Sequence, residues 1–479
     1  MASPYHRNRR IGSLLAATAL TVALAGCAMI PPEPANLPEP ASAQNLGADK
    51  TLASAQADWP SDRWWEGFSD SQLISLIEEG LAGATEIRVA EARFAQAATL
   101  VHQARSRLLP TAGATGEAGA TKQSYNYIVP EAAVPRGWNS YGQTTVNLTW
   151  DVDFWGRNRA ALAAARSDAE AAEVEAAATR LAVSTGIAVA YADLANLYAE
   201  RDAAADAVRV RTSTLELMQD REVQGLENMG AVSRARSALA TARGDLLALD
   251  EVIMLSRHRI AALLGAGPDR GLSIARPTAQ VLEAHDLPTN LPAELVGRRP
   301  DIIAARLRAE AAMSRIKGAR AAFYPNVSLT GLVGLQALGL DDVFTSGSEF
   351  GSVGPAVSLP LFDGGRLKAQ YRASEATYAA AVAQYDGALV QALREVADAA
   401  TSKHTLDHRL DQAAQAAEAA EAAWTVANNR YYGGLATYLD VLAAEDALIA
   451  TRRTVSTLQT RAFALDIALI RALGGGFNS

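Results

Sequence analysis

The chain has 479 residues, with 44 Lys and Arg against 52 Asp and Glu, six His and a single Cys. A net charge of −8 disfavours nucleic-acid binding, which needs excess cation, and one cysteine excludes an internal disulfide. Alanine dominates the apolar residues and aromatics make up only 6 %. Such a composition favours helix while leaving little volume to fill, so one elongated body is expected rather than the about three domains that length alone suggests.

Arg7, Arg9 and Arg10 precede an uncharged stretch from Ile11 to Leu24, followed by the small residues Ala25 and Gly26 and then Cys27. This is the layout of a signal peptide over 1–26, too short in its apolar part for the about 20 residues of a spanning helix. The LAGC of Leu24 to Cys27 resembles the lipobox of bacterial lipoproteins. That resemblance implies cleavage before Cys27 and covalent lipid on its thiol and new amino group; Ala28, in place of aspartate, implies sorting to the outer membrane. An ordinary export signal is the alternative. Pro31, Pro32, Pro34, Pro38 and Pro40 make an extended tether within 27–60. Removal of 1–26 leaves 41 basic against 52 acidic side chains, a net charge of −11.

Beyond the tether the chain repeats itself. ARSRLLPTAGATGEAG (104–119) aligns with ARAAFYPNVSLTGLVG (319–334) at an offset of 215, and REVQGLENMGAVSRARSAL (221–239) with RYYGGLATYLDVLAAEDAL (430–448) at 209. LGAG (264–267) falls on LGGG (473–476) at the same 209. Two copies of one unit follow, a first over 61–285 and a second over 286–479, each ordered helix, strand, strand, long helix, helix.

Within the first copy, an Ala-rich helix over 85–108 is stopped by Pro110. A period of two then takes over, with strands expected within about 111–154. In VNLTWDVDF, Val146, Leu148, Trp150, Val152 and Phe154 face one way, and Asn147, Thr149, Asp151 and Asp153 the other. Turns at Gly156 and at Gly364 and Gly365 release long helices over 160–224 and 367–432, each about 98 Å at about 1.5 Å per residue. Gly225 and Gly230, and in the second copy Gly433 and Gly434, break them and let the chain return through 231–264 and 437–473. The second copy has its helix over 301–322 and strands within about 326–361, VSLTGLVGL (327–335) and VGPAVSLPL (353–361) among them.

After Leu24 there is no uncharged apolar run near 18 residues, so a membrane crossing must use strands. Four strands of about ten residues suit a tilted crossing but cannot close a barrel, and an open edge in lipid leaves backbone groups unsatisfied. Several chains must share one barrel. Outer-membrane barrels start at about eight strands, so two chains are the minimum and three give twelve.

These features resemble the TolC-like outer-membrane efflux proteins, in the lipoprotein branch that serves resistance-nodulation-division pumps. The resemblance rests on WWEGFSD (64–70), LPTNLPAELVGRRPDI (287–302), SLPLFDGGR (358–366), RYYGGLATYLDVLAAEDAL (430–448) and RALGGGF (471–477). With the repeat they cover essentially all of the mature chain. The family implies a mainly α fold with membrane β: a homotrimer whose twelve-strand barrel stands on a long periplasmic α-helical barrel. It implies an outer-membrane, lipid-anchored duct reaching into the periplasm. The duct passively conducts drugs or other small molecules delivered by a periplasmic adaptor and an inner-membrane transporter. It also implies a gate at the inner end, where Asp440 matches a ring aspartate and Tyr431 a constraining tyrosine, while the second ring position falls on Ala443 and a basic position on Ala436.

No catalytic chemistry competes with this reading, and an enzyme is not expected. His404 and His408 have helical i, i+4 spacing, but TLD between them lacks the glutamate of HExxH, so a solvated face is expected rather than a metal site. GLVGLQALG lacks a following helix to receive a phosphate. Arg298 and Arg299 before Pro300 and Asp301 read as a helix entry, not an anion site. A lipid-anchored periplasmic helical scaffold without a pore is the alternative function. It explains Cys27 and the helices but not the paired amphipathic strands.

Overall fold

The computed structural model describes residues 31, 36–47, 52, 58–128, 130–278 and 291–477. Cys27, the signal segment, Pro32 and Pro34 lie outside the described residues. The first copy runs α1 (Ser71–Gly83), α2 (Thr85–Ser106), β1 (Thr111–Thr121), β2 (Asn139–Asp151), α3 (Arg157–Val223) and α4 (Met229–Leu263). The second runs α5 (Leu291–Arg298), α6 (Pro300–Ala321), β3 (Asn326–Leu338), β4 (Glu349–Ser358), α7 (Arg366–Tyr432) and α8 (Tyr438–Ala472). The duplication is close in length: α3 and α7 have 67 residues each, α4 and α8 have 35, and α2 and α6 have 22.

Several boundaries differ from the sequence reading, and three of the differences have a plain physical reason. β2 ends at Asp151 instead of running through Phe154, because Asp153 turns to a φ of 53° and caps α3, accepting from the backbone N–H groups of Asn158 and Arg159 at 2.9 Å each. β4 ends at Ser358 instead of Leu361; Pro360 has no N–H to give a ladder, and Asp363 accepts from Gly365 and Leu367 to start α7. Gly230 breaks nothing, since it lies in the first turn of α4.

The chain divides into two compact units, Met1–Pro40 with Ala95–Ala171 and Ala305–Gln384, and Ala41–Phe94 with Ala172–Ala304 and Tyr385–Ser479. The first contains an antiparallel sheet in the order β1-β2-β3-β4, so the two hairpins join through β2 and β3, and β1 and β4 are edges. Register fixes its faces. Ala112 pairs with Leu148, Val146 with Val333, and Trp150 with Leu329, which faces Pro355 in turn. On this apolar face Val333 is 62 % and Val353 82 % exposed. The opposite face carries hydroxyls and amides: Thr115 and Thr145 share a hydrogen bond of 2.7 Å, and Asn147 donates to Thr145 at 3.3 Å. Beneath the strands, Phe323, Leu367, Tyr371, Tyr378 and Val382 close a small core with Ala309, Ala312 and Ile316 of α6.

In the second unit Phe68, Leu73, Leu76 and Ile77 pack on Ile187, Tyr191 and Leu194 of α3 and on Ile260 and Phe463. Each fully buried large side chain there contributes about 1.5–3 kcal/mol. Asp70 caps α1 and also accepts from Tyr191 at 2.9 Å and from Thr278. Burial opposes its ionisation, but these bonds outweigh it and hold its carboxyl below the usual range. The repeat extends to close backbone approaches. A Cβ on Gly265 would lie 2.4 Å from the Gly83 carbonyl, and one on Gly474 would lie 2.2 Å from the Arg298 carbonyl. Both glycines have positive φ, 74° and 92°, so the glycines of LGAG and LGGG serve the same contact twice.

By length and composition, α3 is the one helix among the described residues with a window apolar enough to cross a bilayer. Half of that window is buried within the protein, as suits an Ala-rich core helix.

Candidate functional site

The two helical turns of the second unit are built alike. Gly225 and Gly434 both have a φ of 72°, and after each the next residue closes the same bond, Leu226 N–H to Arg221 O and Leu435 N–H to Arg430 O, both at 2.8 Å. This is the left-handed helix stop that glycine makes without steric cost. Asn228 then caps α4, accepting from Ala231 N–H at 3.2 Å. Thr437 caps α8 through a capping box with Asp440.

Tyr431 is 3 % exposed and lies in a cluster that joins both turns: Met218, Ala231, Val232 and Ala235 from α3 and α4, Tyr438 and Val441 from α8. Its hydroxyl donates to Glu227 Oε1 at 3.1 Å and lies 3.4 Å from Met218 Sδ, while the Arg221 guanidinium sits 4.8 Å over its ring. Burial, then the Glu227 bond, pushes its pKa up to about 12, so the hydroxyl remains a donor at any physiological pH.

Asp440 is exposed, and its carboxylate does not touch Tyr431. Asp440 Oδ2 accepts from the backbone N–H and the hydroxyl of Thr437, each at 2.8 Å. Those two bonds hold its carboxyl below the usual range, and Arg430 adds to this. Asp440 borders an open cleft of about 520 Å³ with Arg430, Ala436 and Val426. Ala436 and Ala443 bring no charge, so Asp440 is the acidic group on this cleft.

One layer inward lies a group that the sequence did not reveal. Glu445, 2 % exposed, stands 3.5 Å from Arg211 Nε, too far for a good hydrogen bond. Arg211 spends its other nitrogens on Asp446 at 2.6 Å and on the Ala238 carbonyl at 2.9 Å. Burial raises the pKa of Glu445 despite Arg211. Glu227, Arg221 and Arg211 escaped notice because the side chains they meet, Tyr431 for the first two and Glu445 and Asp446 for the third, lie in the other copy, more than 200 residues away.

Elsewhere the arginines behave as a helix entry. Arg299 is buried against Asp301 at 2.6 Å and Glu395 at 2.8 Å and donates to the Ala472 carbonyl, while Arg298 lies over Trp59. The rings of His404 and His408 stand 5.8 Å apart on the exposed side of α7.

A four-stranded open sheet with one apolar face accompanies two helices of 67 residues in a duplicated chain. A family model described as "Outer membrane efflux protein" matches residues 76–266 and 291–475. The chain is 30 % identical over 484 residues to the multidrug resistance outer membrane protein MdtP of Escherichia coli (strain K12), covering 98 % of each. It is 34 % identical over 371 residues to the fusaric acid resistance protein FusA of Burkholderia cepacia, covering 76 % of this chain and 69 % of that one. The crystal structure of the outer membrane protein VceC from Vibrio cholerae matches with a TM-score of 0.83 at 47 % identity, over 88 % of this chain and 100 % of that chain.

The chain belongs to the outer membrane efflux protein family. Its fold is the TolC-like one, mainly helical with a membrane sheet, and its place is the outer membrane.

Proposed function

We propose that three copies of this chain close a twelve-strand barrel and form the passive exit duct of a tripartite efflux system, fed by a periplasmic adaptor and an inner-membrane resistance-nodulation-division transporter. The observation that carries this is the sheet itself. It has two unpaired edges and an exposed apolar face, and lipid tolerates neither edge unless copies pair them. A scaffold without a pore leaves that face without a partner.

Covalent lipid on Cys27 anchors each copy, and no further cofactor is needed because the transporter supplies the energy. At the inner end the Tyr431 to Glu227 bond holds the two helical turns together, and Asp440 adds negative charge at the constriction. The cargo is drugs or other small molecules; the names of MdtP and FusA, which refer to multidrug and fusaric acid resistance, support that class. Planar-bilayer recording with the purified chain tests the duct. Discrete steps of ion conductance are expected, and a preparation that inserts without conducting contradicts it.

A further inference from the structure

Below the strands, in the first unit, a cleft of about 580 Å³ opens between the end of β2, the start of β3 and the start of α7. Arg157 and Arg366 line it. They are the first residues of α3 and α7 and stand at equivalent repeat positions, 209 apart. Among the described residues each makes one ion pair, at long range, and no hydrogen bond to a carboxylate. Arg157 comes no nearer to Asp151 than 3.9 Å, and Arg366 no nearer to Asp363 than 3.9 Å; Arg366 otherwise donates to Gln370. The carboxylates are engaged elsewhere: Asp363 holds the N–H groups of Gly365 and Leu367, and Asp151 accepts from Asn326. Beside the arginines stands an apolar rim. Phe154, in the lining, is 64 % exposed, and Trp155 beside it stacks on Tyr324 at 4.4 Å while donating to the Pro325 carbonyl; Phe362, 90 % exposed, follows the lining residues Ser358, Leu359 and Pro360 in the chain.

We propose that this cleft is a binding site for the phosphodiester headgroup of an inner-leaflet glycerophospholipid, held between Arg157 and Arg366 with its acyl chains along Phe154, Trp155 and Phe362. Guanidinium groups match phosphate oxygens in geometry and charge, and two under-paired cations at a membrane boundary are stabilised by an anion that the membrane itself provides. The aromatic rim selects a lipid over a soluble phosphate, because amphipathic rings settle at the headgroup level. The inference rests on the membrane placement of the sheet.

Native mass spectrometry of the full chain in detergent, titrated with three probes, tests it. The probes are phosphatidylglycerol, diacylglycerol (chains without phosphate) and glycerol phosphate (phosphate without chains). Phosphatidylglycerol is expected to remain bound, diacylglycerol to bind about tenfold more weakly, and glycerol phosphate at equal concentration to leave the bound lipid in place. The double substitution Arg157→Gln, Arg366→Gln is expected to lower phosphatidylglycerol occupancy about tenfold. Equal retention of diacylglycerol, displacement by glycerol phosphate, or unchanged occupancy in the double variant each overturns the proposal. The wild-type probe comparison stands even if the double variant does not fold. Flotation with liposomes separates the two readings: a chain that fails to float contradicts the outer-membrane duct, whereas one that floats but ignores the headgroup contradicts this site alone.

Discussion

The hydroxyl of Tyr431 donates to the carboxylate of Glu227 across 3.1 Å, tying the end of the second long helix to the turn that follows the first. Residues 204 positions apart thus form one latch between two copies of the same turn.

Removing the hydroxyl alone tests the latch. Tyr431→Phe keeps the ring among Met218, Val232 and Val441 and loses one charge-assisted bond, about 1.5–3 kcal/mol at most and less because Glu227 also meets solvent. Single-channel conductance is expected to rise, and cells carrying the variant are expected to admit large antibiotics more readily. Conductance equal to wild type removes the latch role.

Asp440→Ala is expected to raise conductance too, by removing the acidic group from the cleft beside Ala436 and Arg430. Thr437→Ala removes the hydroxyl that Asp440 accepts from but leaves the charge in place. A conductance change shared by both variants points to the helix cap; one confined to Asp440→Ala points to charge at the constriction. An unchanged channel in Asp440→Ala takes that residue out of the gate.

Glu445 gives a pH signature. Arg211 from α3 and Asp446 from α8 act on it, and burial raises its pKa above the ordinary 4.5. The native state therefore holds a proton that the unfolded chain releases, so this group lowers stability as pH rises from about 4.5 through its native value. Glu445→Gln abolishes that slope. The difference between wild-type and variant melting temperatures, followed upward from pH 4, is expected to change across this window and then level off. A constant difference contradicts the assignment.

Arg299 supports the entry of α6. Replacing it with Leu takes the donor from Glu395 Oε2 and from the Ala472 carbonyl, while Gln391 still donates to Glu395 Oε1, and is expected to cost about 2–4 kcal/mol, tempered by the partial exposure of both carboxylates. Thermal unfolding reads this directly; a melting temperature within a degree of wild type contradicts it.

The repeat and its element order were legible because they rest on local signals: Pro110, Gly225 and Gly434 punctuate, and the period shifts from helical to two at the strands. β1, Thr111–Thr121, begins where the period-two region was expected to begin. The strand ends at Asp151 and Ser358 were not legible, since alternation continues past them and only the capping of α3 by Asp153 and of α7 by Asp363 ends the ladder. At the turns, Tyr431 and Asp440 stood out by motif. The surroundings of Tyr431 did not, because the Glu227 and Arg221 that meet it arrive from the other copy through the fold.

The stoichiometry of the solubilised particle bears most directly on the closed ring. Native mass spectrometry of the detergent-purified full chain is expected to give the mass of three copies. A single copy, persisting when lipid is restored, contradicts the shared barrel.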